Sequence, residues 1–167
     1  MAEYSEAKKI GDIGEEEILK QINKKYPLAY IDNTGKANSD WDIYIPEISE
    51  GIEVKIDYMS TITKNIVIEV EMNNKLSALS ITKAKYWVFI TGTRFIWVTP
   101  LEIYRFIEQH FEYGRIPFIG DGDSTSKKAY LINEFKFVEH VRGLNKEFGW
   151  VEMIHVNDVL YNNKLNK

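Results

Sequence analysis

In two stretches of the chain every second residue is aliphatic, and charged residues lie between them. Over residues 52–57 every second side chain is aliphatic, and Glu53, Lys55 and Asp57 lie between them. Residues 65–72 repeat the pattern, with Glu69 and Glu71 among the alternating positions. A period of two is typical of a β-strand with one buried face, and an amphipathic helix cannot produce it. The fold must therefore contain a sheet that carries charged side chains on one face of its strands.

The other elements follow from apolar period and turn residues. Apolar residues spaced by three to five positions predict a helix over residues 4–26, ended by Pro27. A strand over 41–45 would place Trp41, Ile43 and Ile45 on one face and Asp42 and Tyr44 on the other. The remaining predictions are a strand at 28–31, a loop at 32–38, a loose helix at 76–85, a hairpin of 86–90 with 94–98, a helix at 99–111, a loop at 120–128 and a terminal helix after 157.

Length and element order together predict the fold class. A chain of 167 residues is near the usual size of one domain. We therefore expect a single domain over 1–167, with a core at about 5–110 and a C-terminal elaboration at 111–167. Helices mixed with strands predict an α/β class, more closely an α+β arrangement around a mixed sheet.

Composition excludes several kinds of protein. The chain has no cysteine, which excludes disulfides, thiolate zinc sites and a cysteine nucleophile. A net charge of −4 argues against nonspecific coating of nucleic acid, although a metal-dependent nuclease tolerates such a charge because it carries carboxylates. Neither a phosphate-binding Gly-rich loop nor a serine-hydrolase elbow is present. No apolar run resembles a signal peptide or membrane span, so we expect a cytoplasmic protein without membrane partners. The cytoplasm of a virus-infected host is included in this expectation.

Acidic residues on two neighbouring strands give the sharpest candidate site. Asp42 and Glu53 are each predicted on the polar face of a strand, and Lys55 shares the face of Glu53. Two carboxylates that converge on one point suit Mg²⁺, or Mn²⁺ in its place. A lysine beside them can orient or deprotonate an attacking water and offset negative charge that develops on a phosphate.

A third carboxylate can come from the first helix. Glu15 precedes Ile18, Leu19 and Ile22 by three, four and seven positions, so it shares their inward stripe. An inward acid among aliphatic side chains is costly unless it is paired or bound to a cation. We therefore expect Glu15, rather than Glu16 or Glu17, to contribute to the site.

These residues resemble the motif of the PD-(D/E)XK nuclease superfamily. The match consists of Gly-Asp-Ile-Gly-Glu at 11–15, Ser-Asp-Trp-Asp at 39–42 and Glu-Val-Lys at 53–55. It covers roughly residues 10–90 and is most similar to archaeal-type Holliday-junction resolvases and small phage or restriction-associated endonucleases. The resemblance implies a restriction-endonuclease-like core, in which a helix and a β-meander are followed by a helix and a strand.

The resemblance also implies roles for single residues. Asp42, Glu53 and the backbone carbonyl of Val54 would bind Mg²⁺, Lys55 would serve the nucleophilic water, and Glu15 would hold a second metal or its waters. The implied activity is hydrolysis of phosphodiester bonds in DNA, structure-selective for branched or flapped DNA, by a homodimer. One departure is the missing proline of the motif, which leaves the choice of Asp42 over Asp40 dependent on strand phase.

Two alternatives to the enzyme stay open. The first is a nuclease fold kept only to bind nucleic acid or protein, and the second is an unrelated α+β domain with solvent-facing charges. Glu69, Glu71 and Asp57 could extend the site, but we expect solvated charges. A few polar side chains are weaker candidates for DNA contacts: Lys83, Lys85, Lys36 and Ser39. We expect no function for several others: His110, His140 and His155 are ordinary histidines, Trp41, Trp87 and Trp97 are core residues, and Asp121 to Asp123 form a turn.

Overall fold

The computed structural model describes residues 2–33, 40–92, 94–111, 116–119 and 126–147. The helices are α1 (Ala2–Ile22), α2 (Ser60–Thr63), α3 (Pro100–His110) and α4 (Glu134–Glu147), with a 3-10 helix at Ala78–Ser80. The strands are β1 (Tyr30–Ile31), β2 (Ile43–Ile45), β3 (Glu50–Asp57), β4 (Asn65–Met72), β5 (Lys75–Leu76), β6 (Tyr86–Thr91), β7 (Phe95–Val98), β8 (Ile116–Ile119) and β9 (Ser126–Asn133). The mixed α/β class is therefore confirmed.

The first sheet has five strands in the order β1-β2-β3-β6-β7. Strands β1, β2 and β3 form an antiparallel meander. Strand β6 then lies parallel to β3, with Glu53 beside Trp87 and Lys55 beside Phe89. The predicted hairpin is confirmed, because β7 returns antiparallel to β6.

The second sheet has four strands in the order β5-β4-β9-β8. Strands β4 and β5 and the 3-10 helix connect β3 to β6, so a sheet takes the place that a crossover helix usually fills in a parallel connection. The helix predicted at 76–85 is wrong. Asn73 and Asn74 have φ of 50° and 61°, and they turn the chain back along β4, where Ser77 donates to the carbonyl of Val70 at 3.0 Å.

Two apolar clusters cover the two faces of the first sheet. One face packs on α1 and contains Ile43, Ile45, Ile52 and Val88. The other face carries Trp87 and Phe89 and packs against side chains of α3, α4 and the second sheet. Because residues alternate along β3, Ile52, Val54 and Ile56 point toward α1 and the residues between them point to the opposite face.

The predicted bounds match the structure for some helices and strands and differ from it for others. The strand at 65–72 and the helix after Thr99 are confirmed, with the Thr99 hydroxyl accepting from the amide of Glu102 at 3.2 Å. Helix α1 ends at Ile22, four residues before the predicted end, and a turn leads to Pro27. Strands β8 and β9 and helix α4 were not predicted, and β9 begins at Ser126, inside the loop expected at 120–128. The expected terminal helix lies outside the described residues.

Trp41 contradicts the predicted strand phase. Strand β2 begins only at Ile43, and Asp42 lies at a bend, so the period of two does not reach Trp41. Its ring packs with the cluster opposite to that of Ile43 and Ile45. Trp87 and Trp97 are core residues as predicted, with 1% and 0% of their surface exposed.

Within the described residues, no helix combines the length and apolar character that crossing a bilayer requires.

Candidate functional site

Asp42 lies against the middle of β3. Its backbone amide donates to the carbonyl of Ile52 at 2.9 Å, which extends the pairing of β2 with β3 by one residue. Further along β3, where β2 no longer supplies a backbone partner, the Asp42 side chain pairs with the strand, and its Oδ2 accepts from the amide of Val54 at 2.7 Å. The meander thus brings Asp42 beside the Glu-Val-Lys segment, although the two are far apart in sequence.

The carbonyl of Val54 points to the side of β3 that Asp42 occupies. The N–H and C=O of one strand residue point in the same lateral direction, since antiparallel partners exchange both hydrogen bonds. The N–H of Val54 donates to Asp42. A carboxylate and a backbone carbonyl therefore face the same space at the edge of β3.

Glu53 and Lys55 form an ion pair on the face of β3 opposite α1. The Lys55 ammonium lies 2.5 Å from Oε1 of Glu53 and 5.5 Å from the centre of the Trp87 ring. The side chain of Glu53 is 19% exposed and that of Lys55 is 38% exposed. The pair is therefore partly shielded yet open to a ligand from solvent.

The charges around Lys55 keep it protonated. Burial alone would lower the pKa of Lys55, but the charge and hydrogen bond of Glu53, followed by the charges of Asp42 and Glu69, raise it above 10.5. In this arrangement Lys55 is a cation at neutral pH. This state suits stabilisation of negative charge rather than removal of a proton.

Glu15 lies on α1, which packs on the face of β3 opposite to Glu53. It is half-buried, and its neighbour Gly14 packs directly on Ile56. Across the described part of the chain, no three His, Asp or Glu side chains form a group that could hold a metal ion. The residues that come together are Asp42, Glu53, Val54 and Lys55.

Asp40 and Asp42 have different surroundings. Asp40 pairs with Lys83 at 3.0 Å on the surface, where their side chains are 42% and 67% exposed. Lys85 similarly pairs with Glu50 at 2.7 Å. Asp42 is thus the acid that contacts the Glu-Val-Lys strand, and both candidate DNA-contact lysines have acidic partners.

Glu69 and Glu71 are not the solvated pair that the sequence predicted. A register shift pairs Glu69 with Ala129 and Glu71 with Lys128. Adjacent residues of β9 point to opposite faces, so this bulge turns the two glutamates to opposite faces as well. Glu71 is 9% exposed, and its Oε1 lies 3.1 Å from the Lys128 ammonium.

Glu69 lies close enough to Lys55 for its charge to raise the pKa of that lysine. Its two carboxylate oxygens contact Ser77 Oγ at 2.6 Å and the Lys127 ammonium at 3.7 Å. The alternation of β4 placed Glu69 on a polar face. The alternation does not indicate that the second sheet brings this face near β3. The proximity of Glu69 to Lys55 was therefore not predicted.

Asp57 has a structural role at the end of β3. Its carboxylate accepts from the amide of Ser60 at 3.2 Å and from that of Val67 at 3.0 Å. These bonds fix the connection from β3 to β4. The expectation of a solvated charge at the strand end is wrong, because Asp57 is half-buried and its carboxylate accepts hydrogen bonds from backbone amides.

Among the described residues, two of the remaining candidates, His110 and His140, have partners within the fold. His110 hydrogen-bonds to the carbonyl of Phe106 at 2.9 Å, and His140 lies 3.2 Å from Glu102. The other candidates, Lys36, Ser39, Asp121 to Asp123 and His155, lie outside the described residues.

Comparisons of the chain with protein-family models, with curated proteins and with solved structures find no match. The function of the site therefore has to be inferred from the geometry of its own residues.

Proposed function

We propose that this protein is a metal-dependent nuclease that hydrolyses phosphodiester bonds in DNA. One observation carries the proposal: the hydrogen bond from the Val54 amide to Asp42 brings an acidic residue beside the Glu53–Lys55 pair. Two carboxylates, a backbone carbonyl and a cation are then neighbours along residues 53–55 of β3 and its edge. This is the set of groups that the PD-(D/E)XK motif requires.

The order and direction of the strands favour the restriction-endonuclease-like core. Helix α1 precedes an antiparallel meander, and β6 joins β3 in parallel. These features agree with the architecture that the motif implies, and the crossover through β4 and β5 departs from it. The C-terminal elaboration at 111–167 supplies β9, which pairs with β4 in the second sheet.

The donor atoms present fit Mg²⁺. Asp42, Glu53 and the Val54 carbonyl offer only oxygen, which is the ligand type that Mg²⁺ prefers. Mg²⁺ usually retains several waters and binds through one or two carboxylates together with substrate phosphates. Two carboxylates are therefore sufficient, and Glu15 would act only through waters or a second ion. When bound, the ion would activate water and stabilise charge on the phosphate oxygens.

The chain's own residues have separable tasks in this mechanism. Lys55 places a positive charge where negative charge develops on the scissile phosphate. Glu53 orients Lys55 through their ion pair. Asp42 is oriented by the Val54 amide and fixes the edge at which the phosphate would lie.

Cleavage of end-labelled four-way junction, flap and duplex DNA tests the proposal. We expect the wild type to cut in Mg²⁺ or Mn²⁺ and not in EDTA, and we expect Lys55→Ala to lose about 100-fold or more of the rate. Lys85→Ala is a matched control, because Lys85 also pairs with a glutamate of β3 but lies outside the site. Equal loss in both variants, or no cutting by the wild type, would contradict the assignment.

The competing function is a binding module that retains the site without activity. It differs from the enzyme in that DNA or protein binds while no DNA is cut under any divalent ion. Cleavage of a symmetric four-way junction would additionally call for a homodimer, because two strands must be cut at related positions.

A further inference from the structure

Three aromatic rings contact one another in series on the outer strands of the first sheet. The ring centroids of Tyr30 and Tyr44 are 5.9 Å apart. Those of Tyr44 and Trp41 are 5.0 Å apart, and the two planes differ by only 24°. We name Tyr30, Tyr44 and Trp41 the aromatic strip. Its outer end is open, since Tyr30 is 47% exposed, while Tyr44 and Trp41 are half-buried.

The aromatic strip lies on the same sheet face as Glu53. Tyr30 pairs with Tyr44, and Tyr44 pairs with Gly51, so these three positions share a face. Gly51 and Glu53 are two residues apart in β3 and therefore share it as well.

Trp41 joins the strip to the candidate site. Its ring covers Gly51 so closely that a Cβ at that position would lie 2.5 Å from ring carbons. The next residue in the chain is Asp42, which contacts Val54. A ligand lying along the strip would therefore pass from the open edge at Tyr30 directly to the carboxylates.

We propose that the exposed Tyr30 ring, at the open end of the aromatic strip, stacks an unpaired base of a single-stranded DNA segment whose backbone enters the Asp42–Glu53–Lys55 site. This inference rests on the proposed nuclease function and specifies its substrate as DNA with a single-stranded portion, such as a flap. Aromatic side chains stack on any base, so the recognition is tolerant of sequence. Bases inside a duplex are already stacked on one another and do not present their faces to the strip.

The exposed lysines described near the strip are paired with acidic side chains. Lys83 pairs with Asp40 and Lys85 pairs with Glu50, so each of these exposed lysines has an acidic partner. The net charge of the chain is −4. Binding that depends on few phosphate contacts has a shallow dependence on salt. We therefore expect affinity for single strands to change little between low and moderate salt.

Anisotropy of labelled oligothymidine and of a duplex of equal length, measured in EDTA, tests the inference. Tyr30→Ala should weaken binding of the single strand about tenfold, and Tyr30→Phe should retain it because the ring remains. Tyr104→Ala is the matched control, since Tyr104 is 42% exposed but lies on α3. Circular dichroism of each variant verifies that it is folded.

Equal affinity of the wild type for single strand and duplex would overturn the inference, as would equal binding by the wild type and Tyr30→Ala. Absence of any DNA binding would also overturn it and would leave a protein as ligand of the strip. Because the measurement excludes divalent ions, its outcome is independent of cleavage. Failure of the strip and failure of the nuclease are therefore distinguishable.

Discussion

At the scale of single residues, carboxylates of β3 and its neighbours serve different ends although the sequence presents them alike. Glu53 pairs with the Lys55 ammonium, whereas Asp57 accepts hydrogen bonds from two backbone amides. Burial of its carboxyl, supported by the charge of Glu134, raises the pKa of Asp57 above 3.8, while hydrogen bonds from Val67 and Ser60 oppose the rise. The folded chain thus binds the Asp57 proton more tightly than the unfolded chain does.

This raised pKa predicts a pH dependence of stability. The favourable contribution of protonated Asp57 is complete below the unfolded pKa near 3.8 and is lost as pH rises through the higher folded pKa. The free energy of unfolding of the wild type minus that of Asp57→Asn should therefore fall as pH increases from about 3.8. Urea denaturation of both proteins across that window measures the difference. A difference that stays constant or grows would refute the assignment.

At the scale of elements, α1 is positioned by one close approach to the first sheet. A Cβ on Gly14 would lie 2.4 Å from Cδ1 of Ile56 and 3.0 Å from Cδ1 of Ile90. Gly11, one turn earlier in the same helix, has no such neighbour within 4 Å. Of these two glycines, only Gly14 has side-chain atoms that an added methyl group would displace.

The two glycines give a matched pair of substitutions. Alanine is favoured over glycine in a helix by about 1 kcal/mol, so Gly11→Ala should stabilise the protein by about 0.5–1 kcal/mol. Gly14→Ala gains the same propensity but overpacks the contact with β3, which costs about 1–3 kcal/mol. Chemical denaturation should rank Gly11→Ala as the more stable variant. The reverse order would show that α1 does not pack on Ile56 through Gly14.

Sequence period predicted the elements that have at least one continuous buried face, such as β4, the β6–β7 hairpin and α3. It failed where local geometry overrides the period. The bend at Asp42 reversed the face of Trp41, and the bulge after Glu69 reversed the face of Glu71. Asp42, Glu53 and Lys55 were correctly predicted as neighbours because a meander of short strands joins them. The proximity of Glu69 depends on how two sheets pack, which no local pattern encodes.

At the scale of the whole molecule, a shielded ion pair ties the two sheets together. Arg94 directly precedes β7, and Glu134 begins α4 directly after β9. Arg94 Nε lies 3.2 Å from Glu134 Oε1, and the Thr91 hydroxyl lies 3.1 Å from the same oxygen. The Glu134 side chain is only 6% exposed. Removing its cation would leave a nearly buried carboxylate beside Asp57.

Arg94→Met should therefore lower the free energy of unfolding by about 3 kcal/mol. The control is Arg142→Met, because Arg142 pairs with Glu139 at 3.8 Å and both side chains are 71% exposed. An exposed pair of this kind contributes about 0–1 kcal/mol. Thermal or urea unfolding compares the two variants. Similar losses from both would mean that the Arg94–Glu134 pair is no more shielded than a surface pair.

We propose that Asp42, held by the Val54 amide, is an acidic residue of a nuclease site. The most direct measurement is the Mg²⁺-dependent rate of DNA cleavage by Asp42→Asn compared with Asp40→Asn. We predict a loss of about 100-fold or more for Asp42→Asn. We predict little change for Asp40→Asn, whose carboxylate contacts only the exposed Lys83 among the described contacts. A greater loss in Asp40→Asn, or full activity in Asp42→Asn, would contradict the account.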